Sequence, residues 1–310
     1  MNDLTGMSAA APRGTPGTPS LLALLLMLPA VAGAAGAAEW QTVHFKTSDG
    51  LTIAADYYPP ELDKTPAPIV ICLHMYRSNR KAWRPLAGPL HEAGFAVLAI
   101  DMRGHGDSAT EQTRRAVIER ETAVFDAMTR DVRAAYTWLV RQKGVDPARF
   151  AVIGASVGCS VALRYAALDP SVDAVVCLSP GLNYLGLDSR ADIRKIKGRR
   201  LWLVAAADAR ERKGAEGLAP LCQGAEKTIV PGKLHGTGMF RKVPGIEDRV
   251  VAFVRANIGG PGKTPVYGGI GSDRFFETRA AAQRAIRPAD LRVLSSAREA
   301  RARGLHKARS

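Results

Sequence analysis

The chain has 310 residues, of which 46% are hydrophobic and 23% charged, and its 43 Lys and Arg against 29 Asp and Glu leave a net charge of +14. That length suits one large packed domain plus an extension, and the composition is that of an ordinary globular protein rather than a low-complexity one. The basic balance favours anionic partners or surfaces and decides nothing about fold.

The first element in chain order is a targeting segment. Arg13 and the free amine are the only positive charges before the apolar run LLALLLMLPAV over 21–31, and AGAAGAA over 32–38 offers A-x-A-like cleavage points. This is the pattern of a secretory signal peptide. The run falls short of the roughly 20 residues that cross a bilayer. Cleavage is expected between Ala35 and Glu39, leaving a periplasmic or secreted protein with no transmembrane segment. The expected organisation is therefore a signal peptide over 1–38, a main domain over 39–258 and a linker with a small basic module over 259–310.

Residues 41–60 predict a hairpin: TVHFKTSDG alternates and ends in the turn pair Asp49-Gly50, and LTIAADYYPP stops at two prolines. Six apolar runs follow: PIVICL (68–73), AVLAI (96–100), FAVIG (150–154), VDAVVCL (172–178), LWLVA (201–205) and KTIV (227–230). Nearly continuous runs rich in Val and Ile are what strands buried on both faces require. Helical spacing of apolar residues over 124–142, 157–168 and 245–257 separates or follows them. Strand–helix alternation predicts an α/β fold with parallel strands, right-handed crossovers and helices on both faces. Cys72, Cys159, Cys177 and Cys222 match no zinc spacing and read as small buried hydrophobes. A break at Ile258-Gly259-Gly260-Pro261-Gly262 opens the tail, in which 277–286 and 295–304 are helix-like.

Gly154-Ala155-Ser156-Val157-Gly158 is a G-x-S-x-G motif between a buried strand and a helical pattern. A tight strand-to-helix turn there holds the serine in a strained backbone and pushes its hydroxyl out of the sheet. The helix N-terminus adds a positive field where an oxyanion would develop. A serine hydroxyl needs a base, which this arrangement places on a loop after the last strand. His44, His74, His91, His105 and His306 lie elsewhere, and His235 follows KTIV. The imidazole needs a carboxylate to hold its tautomer. Asp208 follows LWLVAAA, whereas Asp188 and Asp192 precede that strand, so Ser156, Asp208 and His235 form the expected catalytic set in the order Ser…Asp…His. The oxyanion donors are expected to be the amides of Val157 and Tyr76, with Met75 the alternative to Tyr76. His74 is expected to organise its loop. Arg103-Gly104-His105-Gly106-Asp107-Ser108 lacks the spacing of a phosphate loop and reads as a tight turn at the rim.

LHMYRSNRKAW, LAIDMRGHGDS, IGASVGCSVALRYAALDPSVDAVVCLSPGLNY and PGKLHGTGMF resemble the α/β-hydrolase superfamily, near its dienelactone-hydrolase-like and prolyl-oligopeptidase-like members, over about 41–257. The resemblance implies an eight-stranded, mostly parallel sheet with its first pair antiparallel, and an acyl-enzyme mechanism with no cofactor or metal. The span from Ser179 to Arg200 is too short for a full lid domain. Dienelactone hydrolases proper use a cysteine where this chain has Ser156. The tail sequence IRPADLRVLSSAREARARGLHKA is similar to the end of the Ada-type metal-binding module, without its cysteine ligands.

The expected activity is hydrolysis of a small-molecule carboxylic ester. A peptidase or amidase on the same residues is the alternative, because ester and amide cleavage share the tetrahedral intermediate. A third reading is a binding protein whose hydrolase domain is secondary. The tail carries eleven Lys and Arg against four Asp and Glu. It is expected to contact an anionic surface, with no specific nucleic-acid partner.

Overall fold

The six apolar runs all form strands of one eight-stranded sheet, five of them inside it and the last, KTIV, at its edge. The computed structural model describes residues 40–62, 65–258, 266–277, 279–287, 290–294, 300–301 and 303–308. The signal-peptide expectation for 1–38 lies outside the described residues.

The hairpin is β1 (Gln41–Lys46) and β2 (Thr52–Tyr58), closed at Asp49-Gly50 with Gly50 at φ 86. There follow β3 (Ala67–Leu73), α1 (Arg84–Glu92), β4 (Ala96–Ile100), α2 (Glu111–Ile118), α3 (Thr122–Leu139), β5 (Val145–Ala155), α4 (Val157–Leu168) and β6 (Ala174–Leu178). A small hairpin, β7 (Asn183–Tyr184) and β8 (Leu187–Asp188), leads into α5 (Ser189–Ile193). Then come β9 (Arg200–Ala206), α6 (Ala209–Leu218), β10 (Glu226–Val230) and α7 (Ile246–Asn257). The sheet order is β1-β2-β4-β3-β5-β6-β9-β10. β2 runs antiparallel to both β1 and β4, and every other pairing is parallel.

Side chains alternate across a strand, and both faces of this sheet are covered. Along β3, Ile69, Ile71 and Leu73 face a layer that includes Phe125 and Met128 of α3, Val161 of α4 and Leu218 of α6. Val70 and Cys72 face the opposite layer, with Leu86 and Leu90 of α1 and Val250 and Phe253 of α7. Two-sided cover is why these runs carry no polar alternation. All four cysteines are buried and free, as expected of small core residues. The span from Ser179 to Arg200 carries only the β7–β8 hairpin and α5, so this span holds no lid domain.

The tail differs from its expectation. It holds a four-stranded sheet in the order β13-β11-β12-β14, made of β11 (Val266–Gly269), β12 (Arg274–Phe276), β13 (Leu291–Leu294) and β14 (His306–Lys307). The first helix-like stretch is α8 (Arg279–Ala285); of the second, residues 300–301 and 303–304 are described. Phe275, Leu294 and Ala300 give this sheet a small core of its own.

The tail packs on the main domain, and this packing gives no support to the expected docking on an anionic surface. Arg292 is fully buried, its Nε 2.5 Å from Asp169, one of its terminal amines 3.2 Å from the Tyr165 hydroxyl, and its guanidinium 4.4 Å above the Tyr136 ring. Arg303, also buried, pairs with Asp173 and donates to the Pro170 carbonyl. Arg133 of α3 meets Asp290 at 3.2 Å. Burial pushes the Asp169 carboxyl up, but the Arg292 charge and the hydrogen bonds from Arg292, Ser171 and Tyr165 outweigh it and hold it low. Part of the tail's positive charge is thus committed inward. Removing one partner of a buried pair strands the other charge, at a cost of about 3–5 kcal/mol. Arg292→Ala is therefore expected to lose that much unfolding free energy, measured by urea denaturation. A loss under about 1 kcal/mol would show the pair to be no more than a surface-grade contact.

Among the described residues no helix is long and apolar enough to cross a membrane, and no cluster of three or more His, Cys, Asp or Glu is placed to hold a metal ion.

Candidate active site

Ser156 sits in the turn between β5 and α4 with φ 53 and ψ −119, outside the regions L-residues favour. A backbone held this way costs about 1–3 kcal/mol and is characteristic of functional turns. The two motif glycines explain how the turn closes. A Cβ on Gly154 would stand 2.3 Å from the Gly158 carbonyl oxygen, and one on Gly158 would stand 2.3 Å from the Leu73 oxygen. Strand, helix and the loop after β3 meet here with no room for a side chain. The Ser156 amide still donates to Leu178 of β6 at 2.9 Å, so the strain begins beyond the sheet's last bond.

His235 follows β10 on a loop brought to this turn by its neighbour. The Gly236 amide donates to the Ser179 hydroxyl at 2.9 Å. A Cβ on Gly236 would lie 2.4 Å from Met75 Sδ and 3.3 Å from Ala155 Cβ, so the loop is pressed between the residue before Ser156 and the loop after β3. His235 Nδ1 is 2.9 Å from Glu211 Oε1. The ring is partly exposed while the Glu211 carboxylate is largely covered.

The carboxylate at His235 is therefore Glu211 and not Asp208. Asp208 stands at the N-cap of α6, and its side chain accepts from the Arg210 amide at 3.0 Å. Glu211 lies one turn further along, and its longer side chain reaches the imidazole. Asp208-Ala209-Arg210-Glu211 is an acidic N-cap followed three residues later by Glu, the signature of a helix start, and it does not say which of the two acids reaches the imidazole.

Among the described residues no hydrogen bond joins the Ser156 hydroxyl to His235. With Nδ1 turned to Glu211, Nε2 is the nitrogen left for the nucleophile. Such bonds commonly tighten only when substrate is bound. Tyr184 stands beside the Ser156 hydroxyl, and its phenol donates to the Ser179 carbonyl at 3.4 Å. Burial, with the Cys159 thiol and Glu211 nearby, pushes that phenol up to about 12, so it stays protonated at physiological pH. Tyr184 was not singled out in the sequence, where a lone Tyr in a short irregular stretch carries no chemical signal.

The Val157 amide opens α4, and the Tyr76 amide lies in the loop after β3; neither donates to a protein group among the described residues. His74 is fully buried and organises that loop. Its Nε2 accepts from the Met102 amide at 3.0 Å and its Nδ1 faces the Met75 carbonyl at 2.7 Å. Burial and the neighbouring His105 ring push the His74 imidazole down to about 3, so it is a neutral brace. The 103–108 turn is structural too. Arg103 pairs with Asp131 at 2.7 Å and with Asp49 at 2.8 Å, and Gly106 is backed onto Asp101 so closely that a Cβ would overlap the carboxylate.

A family profile described as alpha/beta hydrolase fold matches residues 68–212. An uncharacterized protein of Mycobacterium tuberculosis is 31% identical over 135 residues, which is 44% of this chain and 43% of that protein; the match spans less than half of that relative. Thiohydrolase aneE of Aspergillus aculeatus is 24% identical over 68% of this chain and 64% of its own. Among solved structures, an esterase of Pyrococcus furiosus superposes with a TM-score of 0.57 and 23% identity over 71% of this chain and 94% of the esterase. A dienelactone hydrolase of Anabaena variabilis gives 0.58 and 18% over 71% and 99%. Sheet order, the strained serine turn, the matching profile and these superpositions agree: the chain has the α/β-hydrolase fold.

Proposed function

We propose that the protein is an exported serine hydrolase that cleaves small carboxylic esters through an acyl-enzyme. The observation that carries the reading is the 2.9 Å contact of His235 Nδ1 with Glu211, on a loop packed against the strained Ser156 turn. In this reading His235 Nε2 takes the proton of Ser156 as Oγ attacks the ester carbonyl carbon. Glu211 holds the Nδ1–H tautomer and stabilises the imidazolium that forms. The amides of Val157 and Tyr76 receive the oxyanion, with the N-terminus of α4 adding its field. His235 then returns the proton to the departing alkoxide, and the alcohol leaves. A water, deprotonated by the same nitrogen, attacks the acyl-enzyme and releases the acid. The chemistry needs no cofactor. The names of the esterase and thiohydrolase relatives support ester and thioester cleavage, and the segment 1–38 supports export to the periplasm or beyond.

Labelling by a fluorophosphonate probe tests the nucleophile, and a panel of short acyl esters, thioesters and peptide amides tests the substrate class. The wild-type protein should be labelled, Ser156→Ala should not, and short esters should be cleaved far faster than amides. Labelling that survives Ser156→Ala removes Ser156 from the reading. Amides cleaved faster than esters would make the enzyme a peptidase on the same residues.

A further inference from the structure

We propose that Tyr184 sets the acyl-chain length this enzyme accepts, with the β7–β8 hairpin acting as a fixed roof beside Ser156. The inference rests on the serine-hydrolase reading and deepens it. The span between β6 and β9 is too short for a lid, and the hairpin is what it places at the nucleophile. Leu185 and Gly186, the two residues between the strands, have φ 53 and 84. Two left-handed residues in a two-residue loop are the mark of a turn whose twist matches the strands it joins. The hairpin therefore reverses abruptly just after Tyr184.

The hairpin is held from three sides. Leu187 and Ser189 are fully buried, and the Ser189 hydroxyl is 2.8 Å from that of Ser160 on α4, the helix that begins at the nucleophile turn. A Cβ on Gly186 would stand 2.3 Å from Thr122 Oγ1 at the start of α3. A Cβ on Gly181 would stand 2.6 Å from the Tyr184 ring, so the ring lies directly on its own main chain. The phenol ends beside the Ser156 hydroxyl and the Ser179 carbonyl. The backbone that carries the ring is thereby fixed against α3 and α4.

An acyl group bonded to Ser156 Oγ starts from the point the phenol adjoins. A short acyl group passes the ring; a long one has to displace it. Each methylene a pocket admits or refuses changes specificity by roughly 10–200-fold, so one ring on a fixed backbone is enough to set a length limit. The edge of the ring, rather than the hydroxyl, makes this limit.

The test compares kcat/KM for p-nitrophenyl acetate, butyrate and octanoate on the full-length wild-type protein and on Tyr184→Ala, Tyr184→Leu and Tyr184→Phe. The octanoate-to-acetate ratio should rise roughly tenfold or more in the Ala and Leu variants and stay within about twofold of wild type in the Phe variant. Each ratio is internal to one preparation, so a partly unfolded sample does not distort it, and Leu keeps apolar cover on the hairpin if Ala loosens it. An unchanged ratio in both truncations, with Ser156 still labelled by the fluorophosphonate, overturns the inference and leaves the hydrolase reading standing. A Phe variant that shifts the ratio as far as Ala also overturns it, because the hydroxyl would then be the determinant. No labelling of the wild-type protein removes the hydrolase reading and this inference with it.

Discussion

Ser156→Ala is expected to lower turnover on short acyl esters by roughly 10⁶-fold while leaving a folded protein. The size follows from the absence of a second route to the acyl-enzyme: without Oγ no covalent step is available, and only the oxyanion donors and substrate binding remain. The fold should be spared because the strained turn is held by its neighbours rather than by the hydroxyl. Gly154 and Gly158 allow the close approach, the Ser156 amide remains bonded to Leu178, and Ala is no worse than Ser at φ 53. Stopped assays at high enzyme concentration, paired with a urea unfolding curve, read both quantities. Residual activity above about 1% of wild type, with the esterase substrate freshly purified, would contradict the role of Ser156.

The second large effect separates two acids one helical turn apart. Glu211→Gln should cost on the order of 10⁴ in turnover, the loss expected when an imidazole's orienting carboxylate becomes an amide that can stabilise neither the tautomer nor the imidazolium. Asp208→Ala should leave turnover within a few-fold and instead cost about 0.5–2 kcal/mol of stability, the usual penalty for losing an N-cap side chain. Asp208→Asn should be close to silent in both, since Asn caps as well as Asp. The pair is measured together, by kcat and by urea midpoint, because the two assignments predict opposite patterns. A crippled Asp208→Asn beside a mild Glu211→Gln would mean that the contact in the resting structure is not the one used in turnover.

The two acids also show where reading the chain as a string stops. The strained turn at Ser156 is legible because its geometry is written locally: a glycine two positions to each side, a buried strand before and a helix after. His235 is legible by order along the chain, as the histidine after the last strand. The acid is not, because Asp208 and Glu211 both follow β9 and differ only in where they fall on the first turn of α6. Which of them reaches the imidazole depends on how that helix is rotated against the loop after β10, and helix rotation is set by packing of Gly214, Ala215 and Leu218 against the core.

The tail poses the same problem in a different form. An arginine in a basic segment reads as a solvated charge, and strands of four residues or fewer carry too little alternation to stand out. Arg292 is buried because Asp169 awaits it 123 positions earlier in the chain, with Tyr165 and Tyr136 lining the same pocket. No local pattern encodes such a pairing.

By itself the sequence determined what is repeated or contiguous. The six apolar runs and the helices between them set the α/β class and the cover on both faces, because a strand buried on two sides must be apolar at every position. The G-x-S-x-G turn announced its own geometry. Tertiary structure alone decided what depends on contacts between distant segments: Glu211 rather than Asp208 at His235, Tyr184 beside Ser156, and Arg292 locking the tail to α4. The reason is physical. Backbone conformation follows from a residue and its near neighbours, whereas the partner of a charged or polar side chain is chosen by whichever group the packed core brings within about 3 Å of it.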